Sequence, residues 1–250
     1  MGRTIEIATP AGDAEAYLTG DDGSGRPGVL FYVDAIGLRP RIEEMADRIA
    51  AWGYVVLAPQ VFHREGRAAD LAPRTDLRVP GNREAFFAEA MPRVHRLVPE
   101  LSDADAPAWL ATLREHAGGP IGVTGYCMGA RLAVRTAGLL PDDVAAVGGF
   151  HGGGLVTDAA DSPHLSLARA RAEFVFGHAA HDASMPPEAV AALGDALGAA
   201  GLRHVNEVYP APHGYTMSDS AAYDEAATER HFAALRELFG RVLGAAANQL

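Results

Sequence analysis

Cysteine is nearly missing from this chain: Cys127 is the single one in 250 residues. An intrachain disulfide is impossible, which excludes a secreted scaffold stapled by bridges. Long apolar runs are missing too, since none approaches the ~18 residues of a membrane span. The opening Met1-Gly2-Arg3-Thr4-Ile5-Glu6 has no apolar stretch of the kind a signal peptide carries. Positive charge is scarce. With 21 basic against 32 acidic residues and a net charge of −11, the long-range field repels polyanions, so neither nucleic acid nor an anionic membrane is expected as a partner. No repeat, low-complexity tract or linker divides the chain. These absences lead to the expectation of a cytoplasmic protein, monomer or homodimer, that handles a small molecule.

What is present is an apolar content of 48% against 21% charged residues, enough for a sizeable core in one domain over residues 1–250. Thr4–Ala8 and Ala14–Leu18, separated by Pro10-Ala11-Gly12-Asp13, read as an N-terminal hairpin. Strand and helix patterns then alternate. Gly28–Val33, Tyr54–Pro59, Ile121–Thr124, Val144–Phe150, Ala172–Phe176 and His204–Tyr209 read as strands, the first two continuously apolar as if covered on both faces. Helical spacing runs from Pro40 to Ala51, with Gly53 placed as a C-cap, and helices are expected at about 101–116, 128–139, 187–200 and 221–243. The alternation predicts an α/β fold, a mostly parallel twisted sheet with helices on both faces. The arginine-rich stretch 63–82 breaks the pattern. It reads as a surface loop, with anion binding as its functional alternative. The tail Ala245–Leu250 is expected to fray.

Cys127 sits in Gly125-Tyr126-Cys127-Met128-Gly129, between the strand pattern ending at Thr124 and the helix pattern beginning near Ala130. A tight turn between strand and helix, with a glycine on each side, is the setting that pushes a nucleophile out of a fold. A thiol at a helix N-terminus is also favoured as the thiolate. The alternative is a buried structural cysteine. A nucleophile needs a base, and the base an orienting acid, each at the carboxyl end of a strand. Asp182 and His213 stand at such ends, and the order nucleophile, acid, histidine is that of α/β-hydrolases. The oxyanion-binding amides are then expected from Met128 and, in the Asp34-Ala35-Ile36-Gly37 loop, from Ala35. Asp34 reads equally as a loop-capping aspartate or as an acid acting on the thiol. His178 and His181 have no third ligand at a recognisable spacing, so no metal is expected. His151-Gly152-Gly153-Gly154 reads as a strand-end turn, and His63, His95 and His116 as surface residues.

The chain resembles the dienelactone hydrolase family, cysteine-dependent α/β-hydrolases acting on cyclic enol-lactones. The likeness is carried by Gly125–Gly129, His181-Asp182-Ala183-Ser184-Met185-Pro186, His213-Gly214-Tyr215 and Gly53–Pro59. It implies that Cys127 is the nucleophile, His213 the base and Asp182 the orienting acid, with no cofactor. Two positions depart from the family. Asp34 stands where its lactonases carry glutamate, and Met217 stands where they carry an arginine that binds the substrate carboxylate. One of Arg64, Arg74, Arg78 or Arg83 is left to take that part. The expected activity is hydrolysis of a lactone or ester through a Cys127 thioester, with Asp34, Phe62, His63, Tyr126, Tyr215 and Met217 lining the pocket. The rival readings are a carboxylesterase or thioesterase for neutral acyl groups, and a thiol sensor or ligand-binding protein without turnover.

Overall fold

The computed structural model describes residues 2–244. Its sheet has eight strands in the order β1-β2-β4-β3-β5-β6-β7-β8. β1 (Arg3–Thr9) and β2 (Gly12–Thr19) form the antiparallel hairpin, and β2 also pairs antiparallel with β4 (Val55–Pro59). From there every pairing is parallel, through β3 (Pro27–Tyr32), β5 (Gly118–Tyr126), β6 (Val144–Phe150), β7 (Glu173–Ala179) and β8 (His204–Tyr209). β4 is buried at every position, and β3 and β6 nearly so, which is why their sequences run apolar without alternating.

Helix α1 (Pro40–Ala50) packs Ile42, Met45, Ala46 and Ile49 inward and ends where Gly53 takes φ 100°. That is the left-handed cap its spacing predicts. A single turn, α2 (Ala68–Leu71), and a 15-residue helix, α3 (Asn82–Arg96), occupy the arginine-rich region and its continuation. The stretch 63–82 is largely loop, as expected, interrupted by the single turn α2, and the unforeseen helix is α3, which begins at Asn82. Pro92 lies inside α3 and few of its residues are buried, so neither periodicity nor composition marks it. Helix α4 (Pro99–His116) begins earlier than its apolar spacing suggests, with proline at its first position. Helices α5 (Met128–Leu139) and α6 (Pro187–Ala199) match their expected spans. The final helix, α7 (Glu225–Val242), starts after the expected 221 because the Asp224 carboxylate accepts the Ala227 N–H and caps it there. The tail 245–250 lies outside the described residues.

The carboxyl ends of β3, β5, β6 and β7, with the loop after β8, converge on one edge of the sheet. Among the described residues, the non-glycine residues with positive φ are Cys127, His151 and His181, one just beyond each of β5, β6 and β7. Backbone strain of this kind collects where structure serves chemistry.

Candidate active site

At the end of β5 the chain turns on Cys127, with φ 55° and ψ −120°, directly into the first turn of α5. The flanking glycines are required by proximity rather than by φ. A Cβ on Gly125 would lie 2.2 Å from the Gly129 carbonyl oxygen, and one on Gly129 would lie 2.4 Å from that of Val33. Helix α5 therefore presses against the end of β3, and the strained φ falls on Cys127 itself.

Sequence separation disappears at this edge. Cys127 Sγ lies 3.0 Å from His213 Nε2, and His213 Nδ1 donates to Asp182 Oδ2 at 2.6 Å. The other Asp182 oxygen accepts from the Ser184 N–H at 2.9 Å and the Ser184 hydroxyl at 2.6 Å. Burial works against the Asp182 carboxylate, but these hydrogen bonds outweigh it and hold the acid at about 2. Burial likewise opposes both charged forms of the Cys127–His213 pair. Their mutual attraction wins, lowering the thiol and pushing His213 up to about 10, with Asp182 supporting the imidazolium. The arrangement puts a thiol, an imidazole and a carboxylate in one line, with the charged form of the thiol–imidazole pair favoured.

The facing wall is the Asp34–Gly37 loop after β3. Neither the Ala35 nor the Met128 N–H donates to a protein oxygen among the described residues, and the Met128 N–H is directed at the thiol sulfur. Asp34 turns into its own loop. Its Oδ1 accepts from the N–H groups of Ile36 at 3.0 Å and Gly37 at 3.3 Å. Both its oxygens accept from Arg39, at 2.7 and 3.1 Å. This is the loop-capping alternative; every oxygen has a partner before the thiol is considered. Arg39, buried at 5% exposure, also donates to Asp219 at 2.5 and 3.2 Å and to the Met217 sulfur at 3.3 Å. Burial disfavours its charge, and the two carboxylates more than restore it. Arg93 of α3 donates to the carbonyls of Ala35 and Ile36 at 3.1 and 2.9 Å. Two buried guanidiniums thus hold the loop from opposite sides.

The proposed pocket residues separate into groups. Met217 is buried against Arg39, and Phe62 is buried beneath the Arg93 guanidinium. Tyr126 and Tyr215 are core residues whose hydroxyls point inward. Tyr126 bonds His231 Nε2 at 3.1 Å, and Tyr215 donates to the Gly177 carbonyl at 2.9 Å. His63 is no surface residue, being tied to Asp105 at 3.1 Å. Of the four candidate arginines, Arg74 is exposed without an ion-pair partner among the described residues, and the other three are occupied. Arg64 pairs with Asp105, Arg78 with Asp76, and Arg83 lies over the Phe87 ring. The His151 turn does more than end β6: its ring packs 5.3 Å from that of His213, and its Nε2 bonds the Thr216 hydroxyl at 2.7 Å. Burial keeps His151 neutral. Of these supports Ser184 was legible, two residues from Asp182. Arg39, Arg93, His151 and His231 carry no local signal.

A family model described as the dienelactone hydrolase family matches residues 14–243. A candidate carboxymethylenebutenolidase of Salmonella typhi is 28% identical over 249 residues, covering 95% of this chain and 86% of that one. The carboxymethylenebutenolidase of Rhodococcus opacus is 31% identical over 140 residues, which is 55% of this chain and 49% of its relative. The solved structure of a candidate dienelactone hydrolase from Klebsiella pneumoniae matches with a TM-score of 0.81 at 22% identity, covering 96% of this chain and 98% of that one. That likeness establishes the α/β-hydrolase fold. Among the described residues, no helix is long and apolar enough to cross a membrane.

Proposed function

The chain belongs to the dienelactone hydrolase family, and from that premise we propose that it hydrolyses a lactone or ester through a thioester on Cys127. The single observation that carries the reading is the unbroken line from Cys127 Sγ through His213 to Asp182, at 3.0 and 2.6 Å. The thiolate attacks the acyl carbon, and the carbonyl electrons move to an oxyanion that accepts from the Ala35 and Met128 N–H groups. As the tetrahedral intermediate collapses, His213 Nε2 gives its proton to the departing alkoxide and the thioester forms. Neutral His213 then takes a proton from water, whose hydroxide attacks the thioester. Collapse returns the thiolate, releases the acid and leaves the imidazolium in place. Asp182 orients the ring and stabilises its charged form.

The test is mass spectrometry of the denatured protein after mixing with an activated aryl ester. One acyl group on the single cysteine is expected, together with loss of all turnover in Cys127→Ala. Turnover surviving in that variant overturns the reading.

The carboxylesterase or thioesterase alternative draws support from Met217, whose sulfur is already taken by Arg39, so no cation projects from that position. Comparing a negatively charged dienelactone with a neutral aryl acetate separates the two substrate classes. Turnover confined to the neutral ester favours the alternative.

A further inference from the structure

The chain's basic residues are all arginines, 21 of them. Around the nucleophile they divide sharply. Arg39 is held by two carboxylates, and Arg93 by the carbonyls of Leu71, Ala35 and Ile36 with only its buried Nε left over. Arg41 caps the Thr216 carbonyl, and Arg135 pairs with Asp103. Arg131 has no hydrogen-bond or ion-pair partner among the described residues, although burial costs its charge stability. It lies in the first turn of α5, the helix that Cys127 precedes. The negative charge that acts favourably on it is that of Cys127.

Its surroundings form a cavity of about 260 Å³, lined by Met128, Arg131, Leu132, Val98, Gly154 and Thr157 among others. The cavity adjoins the site through the glycine turn after β6. A Cβ on Gly153 would lie 3.6 Å from His213 Cε1, and one on Gly154 would lie 3.8 Å from Arg131 Nη1. The imidazole and the guanidinium thus flank consecutive residues of one turn. Arg135 lines the cavity too, but its charge is spent on Asp103. Asp161 lies at the exposed rim, where its carbonyl accepts from Arg135. A partly desolvated guanidinium with open donors is built for a carboxylate, which its planar fork matches bidentately.

We propose that Arg131 is the specificity-determining cation of this site, binding a carboxylate carried on the acyl portion of the substrate in the cavity beside Met128. The substrate class is an ester or lactone whose acyl group bears a second, free acid. The guanidinium comes from the helix that follows the nucleophile. The inference rests on the hydrolase reading for its substrate, but its test does not depend on turnover.

Cys127 is the only thiol, so its alkylation can be followed without interference. Iodoacetate and iodoacetamide see the same thiolate fraction, and their rate ratio isolates attraction of the reagent's carboxylate. The ratio is expected to fall about tenfold in Arg131→Met and to recover in part in Arg131→Lys. In the unsubstituted protein, glutarate is expected to protect Cys127 from iodoacetamide where its dimethyl ester does not. Among esters, the kcat/KM preference for an anionic over a neutral acyl group is expected to fall about thirtyfold in Arg131→Met. An alkylation ratio unchanged by Arg131→Met, or equal protection by glutarate and its dimethyl ester, overturns the proposal. Loss of the hydrolase reading has a different signature: no ester turns over, while the alkylation ratio still responds to Arg131.

Discussion

The two walls of the site are built in opposite ways. On one side Cys127, Asp182 and His213 each stand at a strand end, within a short motif that carries its own turn chemistry, and they meet through two contacts, with Ser184 bracing the acid. On the other side the Asp34–Gly37 loop has no reactive group in play and is held by two cations, the adjacent Arg39, itself anchored on distant Asp219, and Arg93 from α3. The first wall concentrates chemistry and the second concentrates rigidity. An oxyanion-binding amide is useful only if it does not move when charge develops. A loop clamped by two buried guanidiniums meets that need.

Substitutions break the comparison in order of size. Cys127→Ala and His213→Ala are expected to lower kcat/KM for any ester by about 10⁴-fold or more, read by steady-state kinetics. Asp182→Asn should cost about 10³-fold in kcat, since the imidazole loses its orienting acceptor. Arg39→Met acts on the other wall. It leaves Asp34 buried without its cation and should cost about 3 kcal/mol in denaturant unfolding, with kcat falling alongside. If Arg39→Met instead removes activity at unchanged stability, the division between a chemical wall and a rigid wall is wrong. Tyr126→Phe deprives buried His231 Nε2 of its partner and should cost about 1–2 kcal/mol without changing the thiol's alkylation rate.

The pH dependence sharpens the same contrast. Because Cys127 is lowered by its pairing with His213, iodoacetamide should alkylate the thiol at pH values below the ordinary thiol range. Asp182→Asn should move that acid limb to higher pH, because the imidazolium that attracts the thiolate is weakened. The stability terms run in opposite directions. The raised His213 favours the fold below about 6.5, and that contribution disappears as pH rises through about 10. The lowered Asp182 favours the fold above its ordinary value of 3.8, and that contribution disappears as pH falls through about 2. Unfolding midpoints measured across this range for the protein and for Asp182→Asn check both signs.

Much of this was legible in the chain itself. The strand runs, the glycines beside Cys127, the His213-Gly214 turn and the order of nucleophile, acid and base are local patterns, because strand ends and elbows are specified by their own few residues. Helix α3 was illegible because Pro92 and a sparse apolar face obscure its period. Its absence from the sequence reading hid Arg93. The same limit applied to the arginines near 63–83. Composition marked them as candidates, yet Arg64, Arg78 and Arg83 are occupied by neighbours.

The sequence by itself marked the strands, the elbow and the strand-end positions of Cys127, Asp182 and His213, since each is read from a few residues of chain, while their meeting is a long-range contact. The tertiary structure alone decided which charges are spent and which are open. Asp34 is closed by Arg39, five residues on, and by its own loop amides, while Arg39 reaches Asp219, 180 residues away, and Arg131 is left without a partner. A cation's availability depends on what folds against it, and no local pattern records that.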